Sequence, residues 1–237
     1  MILLPTVVSQ VAPSPAPERV TVIAQFLAKP GREAALRSKL MRMIAPTRAE
    51  AGCVSYDLHA NPANPAQFVF AENWKNEAVL DAHMKTPHFV KLITNGTPAL
   101  LAGPYTVVKG RTLSRLEPGS LTDRRLRAPG SLTLIPFFTI KPGLVGAVGK
   151  SHLAMLAPTR AEKGHISYDL YQSRTNDDLM FFVENWESMA ALKRHMMQPF
   201  FTQHIHKEVE PKLAAPWTFL MLKRISPPGL GRAGRMG

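Results

Sequence analysis

One cysteine in 237 residues leaves no intrachain disulfide framework, so stability has to come from packing. Long apolar runs are missing as well. No stretch approaches the roughly 18 to 20 residues that span a bilayer, and no membrane partner is expected. GxxxxGK[ST] does not occur, and the one GxGxxG string, Gly229 to Gly234, follows the last expected strand with no helix pattern after it, so the usual nucleotide-phosphate fingerprints are missing. Acidic residues are scarce, 17 against 29 Lys and Arg, for a formal charge of +12. That excess invites a nucleic-acid reading, but its two clusters, Arg111, Arg115, Arg124, Arg125 and Arg127 mid-chain and Lys223, Arg224, Arg232 and Arg235 near the end, fall in the linker and at or beyond the last strand. No nucleic-acid motif accompanies them, so loose attraction to anions is expected and no nucleic-acid partner. The apolar start, Met1 to Val8, lacks the basic flank of a secretory signal. A cytoplasmic protein is expected; the alternative is export, with Ala12-Pro13-Ser14-Pro15-Ala16-Pro17 following a truncated signal.

What is present is a sequence written twice. Ala45-Pro46-Thr47-Arg48-Ala49-Glu50 returns 112 residues later as Ala157-Pro158-Thr159-Arg160-Ala161-Glu162. Ser55-Tyr56-Asp57-Leu58 returns as Ser167-Tyr168-Asp169-Leu170, and Glu72-Asn73-Trp74 as Glu184-Asn185-Trp186. Between Pro30/Pro142 and Ile93/Ile205 the register never slips, and 27 of 64 positions are identical. A period this long exceeds that of solenoids and propellers, so each copy is a whole folding unit. The reading is a flexible segment 1–19, a first domain 20–109, a linker 110–131, a second domain 132–225 and a disordered tail 226–237.

Within each copy the periodicities follow one order. Residues 20–27 form a β-branched run that stops at Pro30-Gly31. Residues 32–50 place Ala35, Leu36, Leu40, Met43 and Ile44 at helical spacing, with Pro46 capping or kinking the last turn. Strands follow at 54–58 and 68–74 around a 61–65 loop, then a short helix over 76–84 and a closing strand at 105–109. The second copy repeats this over 132–140, 144–162, 166–171, 179–186, 189–196 and 217–222. The order βαββαβ predicts an α+β, ferredoxin-like unit with both helices on one sheet face. The other face carries Val69, Ala71 and Asn73 and is left bare, so the two copies should close on each other as an internal pseudo-dimer, free to assemble further.

Glu72 and Trp74 share one face of their strand, with Tyr56 on the neighbouring strand and His83 on the covering helix. Glu184, Trp186, Tyr168 and His195 repeat the set. Imidazole near a half-buried carboxylate is a proton-transfer pair, tyrosine can hold a substrate oxygen, and tryptophan supplies a flat wall. Each also has a bland reading: core anchor for Trp, helix cap for His. The Ala-Pro-Thr-Arg-Ala-Glu motif reads as a helix end. Cys53 faces His165 in the alignment, so no thiol is required. His83 and His88 are five apart with Pro87 between, and His88 aligns with Phe200; His204 and His206 align with Leu92 and Thr94. No metal centre is expected.

Gly52-Cys53-Val54-Ser55-Tyr56-Asp57-Leu58, Phe70-Ala71-Glu72-Asn73-Trp74 and His83-Met84-Lys85-Thr86-Pro87-His88-Phe89, with their second-copy equivalents, resemble the antibiotic biosynthesis monooxygenase domain, including its quinol monooxygenase-like members in the dimeric α+β barrel superfamily. The resemblance covers 20–109 and 132–223. It implies two tandem domains forming an intramolecular dimeric α+β barrel, and oxygenation of a small quinol or electron-rich aromatic substrate with molecular oxygen as co-substrate and no cofactor. His83 or His195 would be the base, Glu72 or Glu184 its orienter, and Tyr56 or Tyr168 the holder of the substrate oxygen, with copy one favoured. Phe70, Asn73, Trp74 and His88, and Phe182, Asn185 and Trp186, would line the substrate. The rivals are an isomerase using the same groups and a non-catalytic small-molecule-binding, stress-associated module.

Overall fold

The computed structural model describes residues 18–114, 124–227 and 229–235. Segment 1–19 lies outside these apart from its last two residues, as does the middle of the linker with Arg115. Repeat one opens with β1 (Val20–Leu27) and turns at Gly31, whose φ of 74° only glycine holds without strain. Two helices follow, α1 (Glu33–Met41) and α2 (Ile44–Ala49), where one was expected over 32–50. Pro46 explains the break. It lacks an N–H, and its ring collides with the carbonyl four residues back, that of Arg42.

β2 (Cys53–Asn61) and β3 (Asn64–Trp74) then pair, leaving only Pro62 and Ala63 outside the strands, a tighter connection than the expected 61–65 loop. The Asn76 side chain caps α3 (Glu77–Met84) by accepting from the Val79 amide at 3.1 Å. The short α4 (Pro87–Phe89) runs into a π turn, and β4 (Thr106–Thr112) closes the unit. Repeat two gives β5 (Leu132–Thr139), α5 (Val145–Ala154), α6 (Leu156–Arg160), β6 (His165–Ser173), β7 (Leu179–Trp186), α7 (Met189–Met196), α8 (Pro199–Gln203) and β8 (Thr218–Arg224). Its long helix also breaks, with α5 ending at Ala154, four residues before Pro158.

The strands join into one closed antiparallel barrel in the order β1-β3-β2-β8-β5-β7-β6-β4. Each repeat supplies a four-stranded sheet. The seams are β2 on β8, through His59↔Arg224, and β4 on β6, through Gly110↔Ser173. Closure removes every sheet edge, which a lone repeat would expose. Helices cover the outside, over one apolar core centred on Leu36, Leu40, Phe70 and Trp74 and a second centred on Val148, Leu170, Phe182 and Trp186.

The bare faces do meet, but as a lumen that is only half apolar. Ile23, Val69, Ile135, Tyr171, Phe181 and Leu222 pack at one level. At another, Thr21 and Ser55 hydrogen-bond Asn73 at 2.8 and 2.9 Å, and Thr133 and Ser167 bond Asn185 at 2.7 and 2.8 Å. Asp57 is buried against Arg48 at 2.6 Å and Arg224 at 3.3 Å. Arg224 is therefore a barrel ion-pair residue rather than a solvated terminal cation.

One seam shows how the halves have grown apart. Gly110 faces Phe181; a Cβ there would lie 2.5 Å from the ring Cζ and 3.2 Å from Tyr171 Cβ. Its counterpart is Leu222, and the counterpart of Phe181 is Val69. Small meets large on one side and large meets small on the other.

Within the segment expected to be a disordered tail, residues 229–235 pack back onto β2 and α2. Gly231 donates its amide to the Val54 carbonyl at 2.9 Å and Arg232 to Arg48 at 2.7 Å, and a 3-10 turn at Ala233–Arg235 follows. Gly231 sits directly on Cys53, where no Cβ fits. Glycines that suggested disorder are there for close backbone approach.

Candidate active site

A bulge after Cys53 sets the register that builds the site. It places Tyr56 opposite Glu72, and Glu72 opposite Val22, all on the helix side of the sheet. His83 reaches down from α3, and Leu80, Phe89 and Ile93 complete a hollow of about 440 Å³ when all space between atoms and the solvent at its mouth are counted. In repeat two the same register aligns Leu134, Glu184 and Tyr168. With His195, Phe182, Phe201 and Trp217 they line the matching hollow, about 400 Å³ when all space between atoms and the solvent at its mouth are counted. Both are mostly apolar hollows with a few converging polar groups, the composition of a small-molecule site.

Each imidazole is held by a carboxylate that the sequence did not single out. His83 Nδ1 lies 2.7 Å from Glu50 Oε1, and His195 Nδ1 lies 2.6 Å from Glu162 Oε1. Glu50 and Glu162 are the last residues of the repeated helix-end motif. The motif serves both purposes, since Arg48 also ties the helix end to the Tyr56 carbonyl at 3.1 Å and to Asp57. With Nδ1 engaged, the ring presents Nε2 to the cavity; His195 Nε2 is buried with no partner among the described residues. Burial outweighs the pull of Glu162 and lowers the His195 pKa, so at neutral pH the ring is an unprotonated base.

Glu72 and Glu184 were expected to orient the histidines, and the geometry assigns them elsewhere. Glu72 accepts the Trp74 indole N–H at 2.8 Å, and Glu184 that of Trp186 at 3.1 Å. Burial pushes both carboxyls up to about 8, partly offset by the indole bond and raised a little further by Glu50 or Glu162. At neutral pH they are acids able to donate a hydrogen bond. Burial likewise holds Tyr56 and Tyr168 far above the ordinary tyrosine range, so both keep their protons.

These shifts give a stability signature. The folded chain holds protons on Glu72 and Glu184 up to about pH 8 that the unfolded chain releases near 4.5. Their contribution is full below 4.5 and is lost as pH rises through 8. His59 and His204 act in the opposite sense: burial drops both to about 4, and their contribution is lost as pH falls from 6.5. Above 6.5 only the carboxyl effect remains among these groups. The melting temperature is therefore expected to fall between pH 6.5 and 8 in calorimetry. The variant carrying Glu72→Gln and Glu184→Gln should show a much flatter profile, and an unchanged slope would contradict the assignment.

The remaining expected site residues divide. Trp74 and Trp186 pack at a tilt against His83 and His195, with centroids 4.5 and 4.8 Å apart, behind the cavity wall. Phe182 lines its cavity, while Phe70 lies under Tyr56 at 4.4 Å. Asn73 and Asn185 do not reach either cavity. Strand alternation turns them into the lumen, where Thr and Ser consume their hydrogen bonds. His88 stands 2.9 Å from Glu50 Oε1, beside the dyad. Glu50, His83 and His88 thus bring three donor atoms within 4.8 Å, a set with the composition to hold a divalent ion, although no metal site was expected. Repeat two cannot assemble it, since Phe200 replaces His88.

The antibiotic biosynthesis monooxygenase family model matches twice, over residues 19–94 and 131–207, the two spans that carry the Tyr, Glu, Trp and His set. The chain belongs to that family. Among its relatives, "Putative monooxygenase Rv0793" of Mycobacterium tuberculosis is 44% identical over 71 residues, 30% of this chain and 69% of that protein. "Putative monooxygenase YcnE" of Bacillus subtilis is 31% identical over 90 residues, 38% of this chain and 94% of that protein. In solved structures, a "Putative monooxygenase" from Fusobacterium nucleatum superposes with a TM-score of 0.74 over 89% of this chain and 94% of its own. Its 12% identity makes that a likeness of fold alone. Among the described residues no helix is long and apolar enough to cross a membrane.

Two parts of the candidate site are not evident from the sequence. Glu50 and Glu162 leave a signal in the motif's intact recurrence, which helix termination also explains. His152 and His204 of repeat two left a fainter one, since each appears only as a mismatch with leucine.

Proposed function

We propose that this family member is a monooxygenase that oxidises a quinol or another electron-rich aromatic with O2, without metal or flavin, in its helix-side cavities. The observation that carries this reading is the buried imidazole held through Nδ1 by a carboxylate and facing an apolar hollow through Nε2, built twice. Nε2 takes the hydroxyl proton of the substrate, and Glu50 or Glu162 steadies the imidazolium that forms. The resulting anion is rich enough to give electrons to O2 directly. A carbon–oxygen bond forms, the O–O bond breaks, and the second oxygen atom leaves as water, so SH2 and O2 become SO and H2O. The neutral Glu72 or Glu184 carboxyl donates to the developing oxygen charge, where the dry surroundings strengthen the bond.

The test is oxygen uptake with a panel of quinols and naphthols: turnover that persists under argon would replace the monooxygenase with an isomerase. Repeat two has the unshared dyad, because Glu50 also serves His88 while Glu162 serves His195 alone among the described side chains. Dialysis against a chelator is expected to leave the rate unchanged. A loss that ferrous ion restored, abolished in turn by His88→Phe, would move Glu50, His83 and His88 from proton transfer to metal binding.

A further inference from the structure

The two cavities are not copies of each other. Where repeat one has Lys39, Leu40 and Leu92, repeat two has Ser151, His152 and His204. The three replacements meet in space. Ser151 Oγ lies 3.0 Å from His204 Nδ1, and His204 Nε2 lies 3.0 Å from His152 Nδ1. His152 Nε2 is then left fully buried and without a partner among the described residues. His152 and His204 line the same cavity as His195, whose Nε2 is also unpartnered. An orphaned polar atom in an apolar wall costs stability that a ligand can return. Two such atoms on one hollow describe its ligand, a flat apolar body with an oxygen for each.

We propose that Ser151, His204 and His152 form a second polar anchor and proton exit, found in repeat two only, that takes the second hydroxyl of a dihydroxy aromatic bound at His195. The proposal rests on the quinol reading and adds a division of labour, since repeat one has leucines at both histidine positions and suits ligands with a single hydroxyl. As the substrate is oxidised by O2, its second hydroxyl gives its proton to His152 Nε2. The His152 Nδ1 proton passes to His204 Nε2, the His204 Nδ1 proton passes to Ser151 Oγ, and the original Ser151 proton passes to water. Both rings end neutral with their tautomers reversed, and His152 Nε2–H now donates to the carbonyl oxygen of the product. The same two rings thus fit the substrate hydroxyl and the product carbonyl. Burial keeps both pKa values low, His204 at about 4, which suits a chain that passes a proton on rather than storing it.

The experiment is nitrogen NMR of the full chain with isotope-labelled histidine, under argon, with naphthohydroquinone and α-naphthol as probes. Naphthohydroquinone is expected to shift the ring nitrogens of His152, His204 and His195, and α-naphthol those of His195 and His83 but not His152. Replacing His152→Leu and His204→Leu together restores the residues repeat one tolerates. It should weaken naphthohydroquinone binding at one site roughly tenfold in calorimetry while sparing α-naphthol. Should that variant fail to fold, Ser151→Ala cuts the far end of the chain and should redistribute the His204 tautomers in the same spectra. His152 signals that stay fixed while His195 moves, or a double leucine variant that binds both probes like wild type, overturn the anchor. If neither probe moves any histidine, the anchor and the quinol reading fall together. If His152 responds but air brings no oxygen uptake, the monooxygenase reading alone falls.

Discussion

Replacing His83 and His195 together by alanine is expected to lower oxygen uptake about a hundred- to ten-thousand-fold, the range a positioned general base contributes. Both rings must go, because either cavity retains a complete Tyr, Glu and His set when the other is disabled. The single variants then apportion the activity, and the larger loss is expected from His195→Ala. Glu50→Gln with Glu162→Gln supplies the control for mechanism. Glutamine still reaches Nδ1 but brings no charge to balance the imidazolium, so kcat should fall more than KM changes, and by less than on removing the ring. Far-UV circular dichroism of the four-strand-per-repeat barrel should be unchanged in each variant. If the double alanine variant kept more than about a tenth of the rate, proton abstraction by these histidines would be wrong as a description of the site.

The second large effect lies in the barrel seam. Gly110→Leu is expected to cost about 3 kcal/mol or more, at the top of the range for overpacking, because the neighbours of its Cβ are a ring and a backbone-anchored tyrosine rather than a flexible chain end. Phe181→Val opens the opposite defect, a cavity, and is expected to cost about 2–4 kcal/mol. Combined, the two changes write the Leu222 and Val69 pairing onto both seams, and most of the loss should return, with a favourable coupling of about 1–3 kcal/mol. Urea midpoints at constant m-value measure it. Strictly additive losses would show that Gly110 and Phe181 are not complementary and that the halves have not specialised for each other. With complementarity established, the duplicated chain has traded symmetric self-association for a fixed internal pairing in which the two cavities are free to differ.

How much of this was written in the residues varies by element. The duplication, the βαββαβ order and the pairing of bare faces follow from local pattern: β-branched runs, helical spacing and strand alternation act over a few residues. Alternation alone even turns Asn73 away from Glu72, and so into the lumen where the structure finds it. The helix breaks beside Arg42 and Ala154 were half legible, since Pro46 and Pro158 announce a disturbance while its position four residues upstream comes from ring against carbonyl. The docked tail was illegible. Its glycines carry no side chain to advertise contact, and only the nearby backbone of Cys53 and Val54 gives them a use.

The site divides in the same way. Sequence by itself determined which chemistry-bearing residues exist twice, and that Tyr56, Glu72 and His83 fall on one side of one sheet. Only the folded chain decided who touches whom: that His83 answers to Glu50, 33 residues away, and not to Glu72; that an indole claims Glu72; that His152 and His204, 52 apart, share a hydrogen bond. Periodicity sorts residues onto faces because backbone geometry repeats over short distances. Partners across a cavity are chosen by helix breaks, bulges and loop lengths summed over dozens of residues, and a shift of a single bond length there exchanges one carboxylate for another.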